Sequence, residues 1–252
     1  MHSYSDLKDK VIVVTGGGSG MGREVCLALA AAGATVVLGN RSEREGEAVA
    51  VAVRSAGGKA VFLRTDVARA TDCAALVQCA VDHFGRVDGA FNNAGLQRAF
   101  NSADETPDED VSDVIDVNLK GVLYMMKYAA RAMLATGGGS IVNNSSIFGL
   151  KAMPRLAYYV AAKHGIVGAT RAVALDYAAS GIRVNAVCPG PIKTPSLDRV
   201  TGGDDMMYAD AVPMRRIGQA SEVASAVLWL LSSQSAYVTG SCISVDGGMS
   251  AA

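Results

Sequence analysis

Short runs of Val, Ile, Ala and Leu recur along the chain, each bounded by glycine or a polar turn and followed by a longer stretch with helical spacing. The first run is Val11 to Thr15, and the stretch from Gly22 to Ala32 that follows it stops at Gly33. The pattern then repeats. Strand Thr35 to Gly39 precedes helix Ser42 to Ala56, and strand Ala60 to Arg64 precedes helix Thr71 to Phe84. Strand Val87 to Asn92 precedes a long helical stretch, Val111 to Leu134, and strand Ser140 to Asn144 precedes helix Tyr158 to Ala179. Strand Arg183 to Val187, helix Ser221 to Leu231 and a last strand, Cys242 to Val245, complete the series. Strands apolar at nearly every position are covered on both faces, so the alternation predicts an α/β fold built on a parallel sheet. No linker or repeat interrupts it, and residues 1–252 are expected to form one domain. The exception is Pro189 to Gln219, which reads as irregular. A loop of that length inside a compact domain suits a functional lid, placed here at about 195–215.

Composition narrows the classes of function. Half of the 252 residues are hydrophobic and 19% are charged, which is enough for a large core. A formal net charge of −1 gives no electrostatic reason to expect nucleic acid or an anionic membrane surface as partner. The five cysteines are scattered without a C-x-x-C pair and the three histidines are apart, so neither a disulfide framework nor a metal site is expected. The N-terminus is polar and no long apolar run follows, which sets the expectation of a cytoplasmic protein.

The first strand runs into Thr15-Gly16-Gly17-Gly18-Ser19-Gly20-Met21-Gly22, directly before a helix. Small residues there let the backbone approach a pyrophosphate, and the helix N-terminus offers N–H groups and a positive dipole end. No Gly-Lys-Ser/Thr follows, which excludes a Walker A loop, and the last glycine of a nucleophile elbow is missing. Two later strand ends suit the same ligand. Asp66-Val67 follows strand three, where a carboxylate can accept from an adenine amino group. Asn92-Asn93-Ala94-Gly95 follows strand four, where small residues leave room for a ribose. Ordinary turn chemistry explains Asp, Asn and Gly equally well at either place.

Tyr159 stands one helical turn before Lys163, and Ser146 lies at the end of strand five, upstream of both. Reduction of a ketone builds negative charge on its oxygen, so a proton donor and a second hydrogen-bond donor aimed there lower the barrier. A free phenol titrates near about 10, and an adjacent ammonium is expected to bring Tyr159 down. Tyr158 and Ser145 compete for these roles. Four residues beyond Tyr158 is Ala162, and adjacent strand residues point to opposite faces, so one serine of the pair reaches the site.

Together the glycine loop, Asn92-Asn93-Ala94-Gly95, Asn118, Ser146, Tyr159-x-x-x-Lys163, Pro189-Gly190 and Val245-Asp246-Gly247-Gly248 make the chain similar, from end to end, to the short-chain dehydrogenase/reductase family. The resemblance implies a Rossmann-like doubly wound parallel sheet of about seven strands, a nicotinamide cofactor and a homotetramer. It selects Ser146 over Ser145, gives Tyr159 the role of general acid/base, and lets Lys163 hold the nicotinamide ribose. It also has Asn118 anchoring a water relay to Lys163. Cofactor contacts are implied at Gly16, Ser19, Gly20, Met21, Asn93, Ala94, Gly95, Pro189, Gly190, Ile192 and Thr194.

Strand two ends in Gly39-Asn40-Arg41 rather than in a carboxylate that would bind a ribose 2′-hydroxyl. Neutral Asn40 and cationic Arg41 favour NADP(H), with NAD(H) as the alternative. Leu96, Gln97, Phe148, Leu150, Met153, Tyr158 and the Met206-Met207-Tyr208 loop suggest a medium, mainly apolar alcohol or ketone as substrate. The competing reading is a dinucleotide-binding sensor or scaffold without turnover, which would have no use for Tyr159 and Lys163.

Overall fold

The computed structural model describes residues 4–251. Seven parallel strands form one sheet: β1 (Val11–Thr15), β2 (Thr35–Asn40), β3 (Lys59–Arg64), β4 (Gly89–Asn92), β5 (Gly139–Asn144), β6 (Ile182–Pro189) and β9 (Cys242–Val245). Their spatial order is β3-β2-β1-β4-β5-β6-β9. The chain winds outward from β1 to β3, returns to place β4 on the other side of β1, and winds outward again. Between β1 and β4 lies the topological switch point, where the carboxyl ends of an open α/β sheet leave a crevice. Register fixes that crevice: Val14 pairs with Phe91 and Asn92 with Asn143, so the ends of β1, β4 and β5 stand side by side.

Both sheet faces are covered, as the uninterrupted apolar strands require. On one face α1 (Gly20–Ala31), α2 (Glu43–Ser55) and α9 (Ala220–Leu231) pack Val25, Leu29, Val49, Val53, Val227 and Leu231 against Ile12, Val36 and Leu38. On the other, α3 (Ala70–Phe84), α5 (Gly121–Leu134) and α6 (Ala157–Tyr177) pack Leu76, Ala80, Met125, Met133 and Ile166 against Val11, Val13 and Ile141. Each large aliphatic side chain buried in this way contributes about 1.5–3 kcal/mol. Among the described residues no helix is long and apolar enough to cross a membrane.

Three elements differ from the sequence reading. The long helical stretch expected over 111–134 is helical throughout but starts earlier and changes pitch: α4 (Asp108–Val114) runs on through a π turn (Ile115–Lys120) into α5. Strand β4 begins at Gly89, because Val87 precedes the point where hydrogen bonding to β1 starts. The stretch 189–219 is not irregular. It holds a two-residue strand β7 (Ile192–Lys193), helix α7 (Pro195–Thr201), helix α8 (Met206–Ala209) and strand β8 (Gly218–Gln219), which pairs with β7 in parallel. Thr194 caps α7 by accepting from the Leu197 N–H, and Lys193 ties the segment together through Asp198 at 2.9 Å and Asp205 at 2.7 Å.

Candidate active site

A cleft of about 480 Å³ opens at the switch point. One end is floored by the glycine loop. Gly16 has φ +64 and Gly20 φ +50, the left-handed conformation that glycine adopts without strain. A Cβ at Gly22 would lie 2.1 Å from the Gly16 carbonyl oxygen, so helix α1 approaches the loop only because that position is glycine. Ser19 makes no side-chain cap, which leaves first-turn N–H groups of α1 free for an anion. The Thr15 hydroxyl accepts from the N–H groups of Asn93 at 3.0 Å and Ala94 at 3.1 Å and fastens the β1 loop to the β4 loop. Bare backbone, uncapped N–H groups and small side chains fit a dinucleotide phosphate group.

Along the cleft lie Gly16, Ser19, Gly20 and Met21 of the loop, Asn40 and Arg41 after β2, and Asp66 and Val67 after β3. Asn93, Ala94 and Gly95 follow β4, and Pro189, Gly190 and Thr194 border the far side. Ile192 alone among the expected contacts turns its side chain elsewhere: it is buried in the core and lines a second cavity beside β8. A two-residue strand puts neighbouring side chains on opposite sides, so Ile192 has only backbone to offer the cleft. Asn40 donates its amide to the Ser42 carbonyl at 3.0 Å and to Glu45 at 3.5 Å. Among the described residues Arg41 makes no ion pair, and its exposed side chain is available to a ligand.

At the reaction end stand Ser146, Tyr159 and Lys163. Ser146 begins where β5 stops, in extended conformation, and its hydroxyl accepts from the Phe148 N–H at 3.1 Å. The neighbouring Ser145 hydroxyl donates to the Lys163 carbonyl at 2.9 Å and is used up in fixing β5 to α6. Strand alternation thus separates the two serines. Tyr158 is 6% exposed, packs with Val114 and Leu156, and donates to the Ala99 carbonyl, which makes it a wall residue.

Lys163 is 4% exposed, and its Nζ lies 5.5 Å from the centre of the Tyr159 ring and 2.8 Å from the Asn144 carbonyl oxygen. Burial pulls the Lys163 ammonium down to about 8. Burial also pushes the Tyr159 phenol up to about 12, against a lowering hydrogen bond with the Ser146 side chain. The expected depression of Tyr159 by Lys163 is therefore not found: burial raises the phenol instead. The cost of placing a phenolate among apolar walls outweighs a cation whose own charge is weakened by the same burial.

Asn118 is fully buried in the π turn. Its side chain clamps Leu96, accepting from the Leu96 N–H at 2.8 Å and donating to the Leu96 carbonyl at 2.8 Å. Each end of the amide thus holds the Leu96 backbone, which fixes the Asn118 side chain against the cleft wall. Among the substrate-pocket candidates, Leu96 and Gln97 line the cleft, whereas Phe148 and Met153 pack around Tyr158. Arg98 is engaged by Asp110 and Asp113, and Lys151 donates to the Met249 carbonyl at 3.1 Å. Sequence reading missed Asn144, Glu45 and Arg199, which also line the cleft. The polar Asn144 at the end of a buried strand was the available signal; Glu45 and Arg199 are brought in by tertiary folding alone.

Residues 16–250 match the family described as enoyl-(acyl carrier protein) reductase. The chain is 43% identical over 251 residues to 2,5-dichloro-2,5-cyclohexadiene-1,4-diol dehydrogenase of Sphingobium indicum, covering 98% of this chain and 99% of that one. The chain belongs to the short-chain dehydrogenase/reductase family. It is 43% identical over 239 residues to cyclohexanol dehydrogenase of an Acinetobacter species, covering 95% of this chain and 94% of the relative. The crystal structure of levodione reductase superposes with a TM-score of 0.94 at 35% identity, covering 97% of this chain and 99% of that one. Membership in this family makes the protein an oxidoreductase with a nicotinamide cofactor, in agreement with the geometry of the cleft.

Proposed function

We propose that this protein interconverts a medium-sized, mainly apolar cyclic secondary alcohol and its ketone. The observation that carries the proposal is the convergence of Ser146, Tyr159 and Lys163 at the end of the cleft that the glycine loop opens. A nicotinamide held between the glycine loop and Lys163 would supply or take the hydride. Ser146 donates its hydroxyl proton in a hydrogen bond to the substrate oxygen and orients it. Tyr159 Oη, protonated at neutral pH, gives its proton to that oxygen as charge develops there. In the oxidative direction Tyr159 Oη must first lose its proton, and Lys163 is the adjacent group whose charge favours that loss. Lys163 also donates to the ribose hydroxyls, and the Asn118–Leu96 clamp holds the cleft wall beside it. Cyclic ring systems in the names of the relatives, and the apolar Leu96, support the substrate class.

NADP(H) is the preferred cofactor in this reading. Arg41 stands unpaired beside Ser42 where β2 ends, and a guanidinium with a hydroxyl next to it suits a 2′-phosphate. A second reading, NAD(H), is favoured by Glu45, whose carboxylate lines the same end and would repel that phosphate. The segment 195–215 serves as lid in the same proposal, and exposed Leu123 and Leu134 on α5 suit burial in a homotetramer.

A turnover screen over cyclic and linear alcohols and ketones, run with both cofactors, tests the proposal. Turnover of cyclic ketones or alcohols with a nicotinamide cofactor is expected. Binding of cofactor with no turnover of any alcohol or ketone would favour the sensor or scaffold reading.

A further inference from the structure

Asn144 ends β5 and is hydrogen-bonded to two side chains, Lys163 and Asn93. Its backbone carbonyl accepts from Lys163 Nζ at 2.8 Å. Its Nδ2 donates to Asn93 Oδ1 at 3.0 Å. Asn93 in turn donates Nδ2 to the carbonyls of Thr15 at 3.1 Å and Gly16 at 3.2 Å. These bonds settle which way both amides point. Two carbonyl oxygens demand the Asn93 Nδ2, so its Oδ1 must face Asn144, and only the Asn144 Nδ2 can donate to it. The Asn144 Oδ1 is left over. It is buried, in a residue 6% exposed, and has no hydrogen-bond partner.

A buried amide oxygen without a donor is costly, and native folds rarely keep one without use. Asn92 Oδ1 is also unpaired, but Asn92 lies below the cleft, bonded to Asn143. Asn144 lines the cleft next to Ser146 and Lys163, at the reaction end. We infer that Asn144 is a further cofactor-binding residue, whose Oδ1 accepts an O–H or N–H donor from the nicotinamide nucleoside half of the dinucleotide. The inference rests on the nicotinamide reading of the cleft. It gives Asn144 two faces: Nδ2 reads the position of the phosphate loop through Asn93, and Oδ1 meets the other half of the same ligand. An aspartate would not serve, because it would set an oxygen against Asn93 Oδ1.

Calorimetric titration of Asn144→Leu with two ligands tests this. One is the reduced dinucleotide; the other is ADP or adenosine 2′,5′-bisphosphate, which lacks the nicotinamide nucleoside. The variant is expected to bind the dinucleotide roughly tenfold more weakly and the adenosine nucleotide within about twofold of wild type. Equal weakening of both would overturn the inference, since Asn144 would then act only through Asn93 on the phosphate loop. No change in either would overturn it as well. Asn144→Ser, smaller and still polar, is to show the same split and covers a failure of the leucine variant to fold. A wild-type protein that binds no dinucleotide would instead overturn the reading of the cleft, and the inference with it.

Discussion

The Lys163 ammonium lies 5.5 Å from the centre of the Tyr159 ring, yet the phenol is pushed up to about 12 by burial. In the proposed reaction Tyr159 enters carrying its proton at neutral pH, while burial holds the Lys163 ammonium near 8. Reduction therefore meets a loaded donor, while oxidation must first create a phenolate in an apolar wall.

The proposed role of Lys163 makes cofactor binding depend on pH with a definite sign. In that proposal its protonated form donates to the ribose, and burial lowers its pKa to about 8. Affinity is expected to be flat below that pH and to fall up to about tenfold per unit above it, until the higher pKa of the complex is reached. Lys163→Met removes both the affinity and the dependence. Fluorescence titration of cofactor between about pH 6 and pH 10 reads this. A wild-type affinity constant through that range would remove Lys163 from cofactor binding.

The two serines part in opposite ways on substitution. Ser146→Ala is expected to lower kcat/KM by about 10²–10³ with little change in stability, because its hydroxyl faces the substrate. Ser145→Ala is expected to cost about 1 kcal/mol of stability, from the lost bond to the Lys163 carbonyl, with smaller kinetic loss. Denaturant unfolding and steady-state kinetics on both variants check the assignment. A larger kinetic loss in Ser145→Ala would exchange the roles.

In the proposed reading the end of β2 sets cofactor choice. Asn40→Asp adds a charge that repels a 2′-phosphate, and Arg41→Ala removes the cation that attracts it. Each is expected to move the ratio of kcat/KM values toward NAD(H) by about tenfold or more. An unchanged ratio in both variants would place the phosphate elsewhere.

The segment 195–215 is expected to gain hydrogen-exchange protection when cofactor and substrate are both bound. It carries Met206 and Met207, exposed at 61% and 57%, and Lys193 is tied to it through Asp198 and Asp205. Closure over an apolar substrate would bury those side chains and exclude water. Equal protection with and without ligands would mark a fixed contact surface.

The sheet was legible because its strands, buried on both faces, have no polar side to obscure them: Val11 to Thr15 reads identically in sequence and structure. The site was legible where spacing along one element decides contact, as for Tyr159 and Lys163 on α6. It was not legible where partners are far apart in sequence. Asn144 meets Asn93 across 51 positions, and nothing local marks the unpaired oxygen. Strands β7 and β8 are two residues each, too short for periodicity, so a segment that folds by pairing Ile192 with Gly218 read as loop. The pKa of Tyr159 missed its expected direction because the sequence displays the lysine but not the burial.

The most direct test of the account is the rate of hydride transfer in Tyr159→Phe, measured with saturating cofactor and a cyclic ketone that the wild type reduces. The variant deletes one transferable proton and leaves the cleft filled. Cofactor affinity is expected to stay within about threefold of wild type, and the rate to fall by about 10²–10⁴, the range that general acid–base catalysis supplies. A variant that keeps more than about a tenth of the wild-type rate would contradict the assignment of Tyr159 as the proton donor.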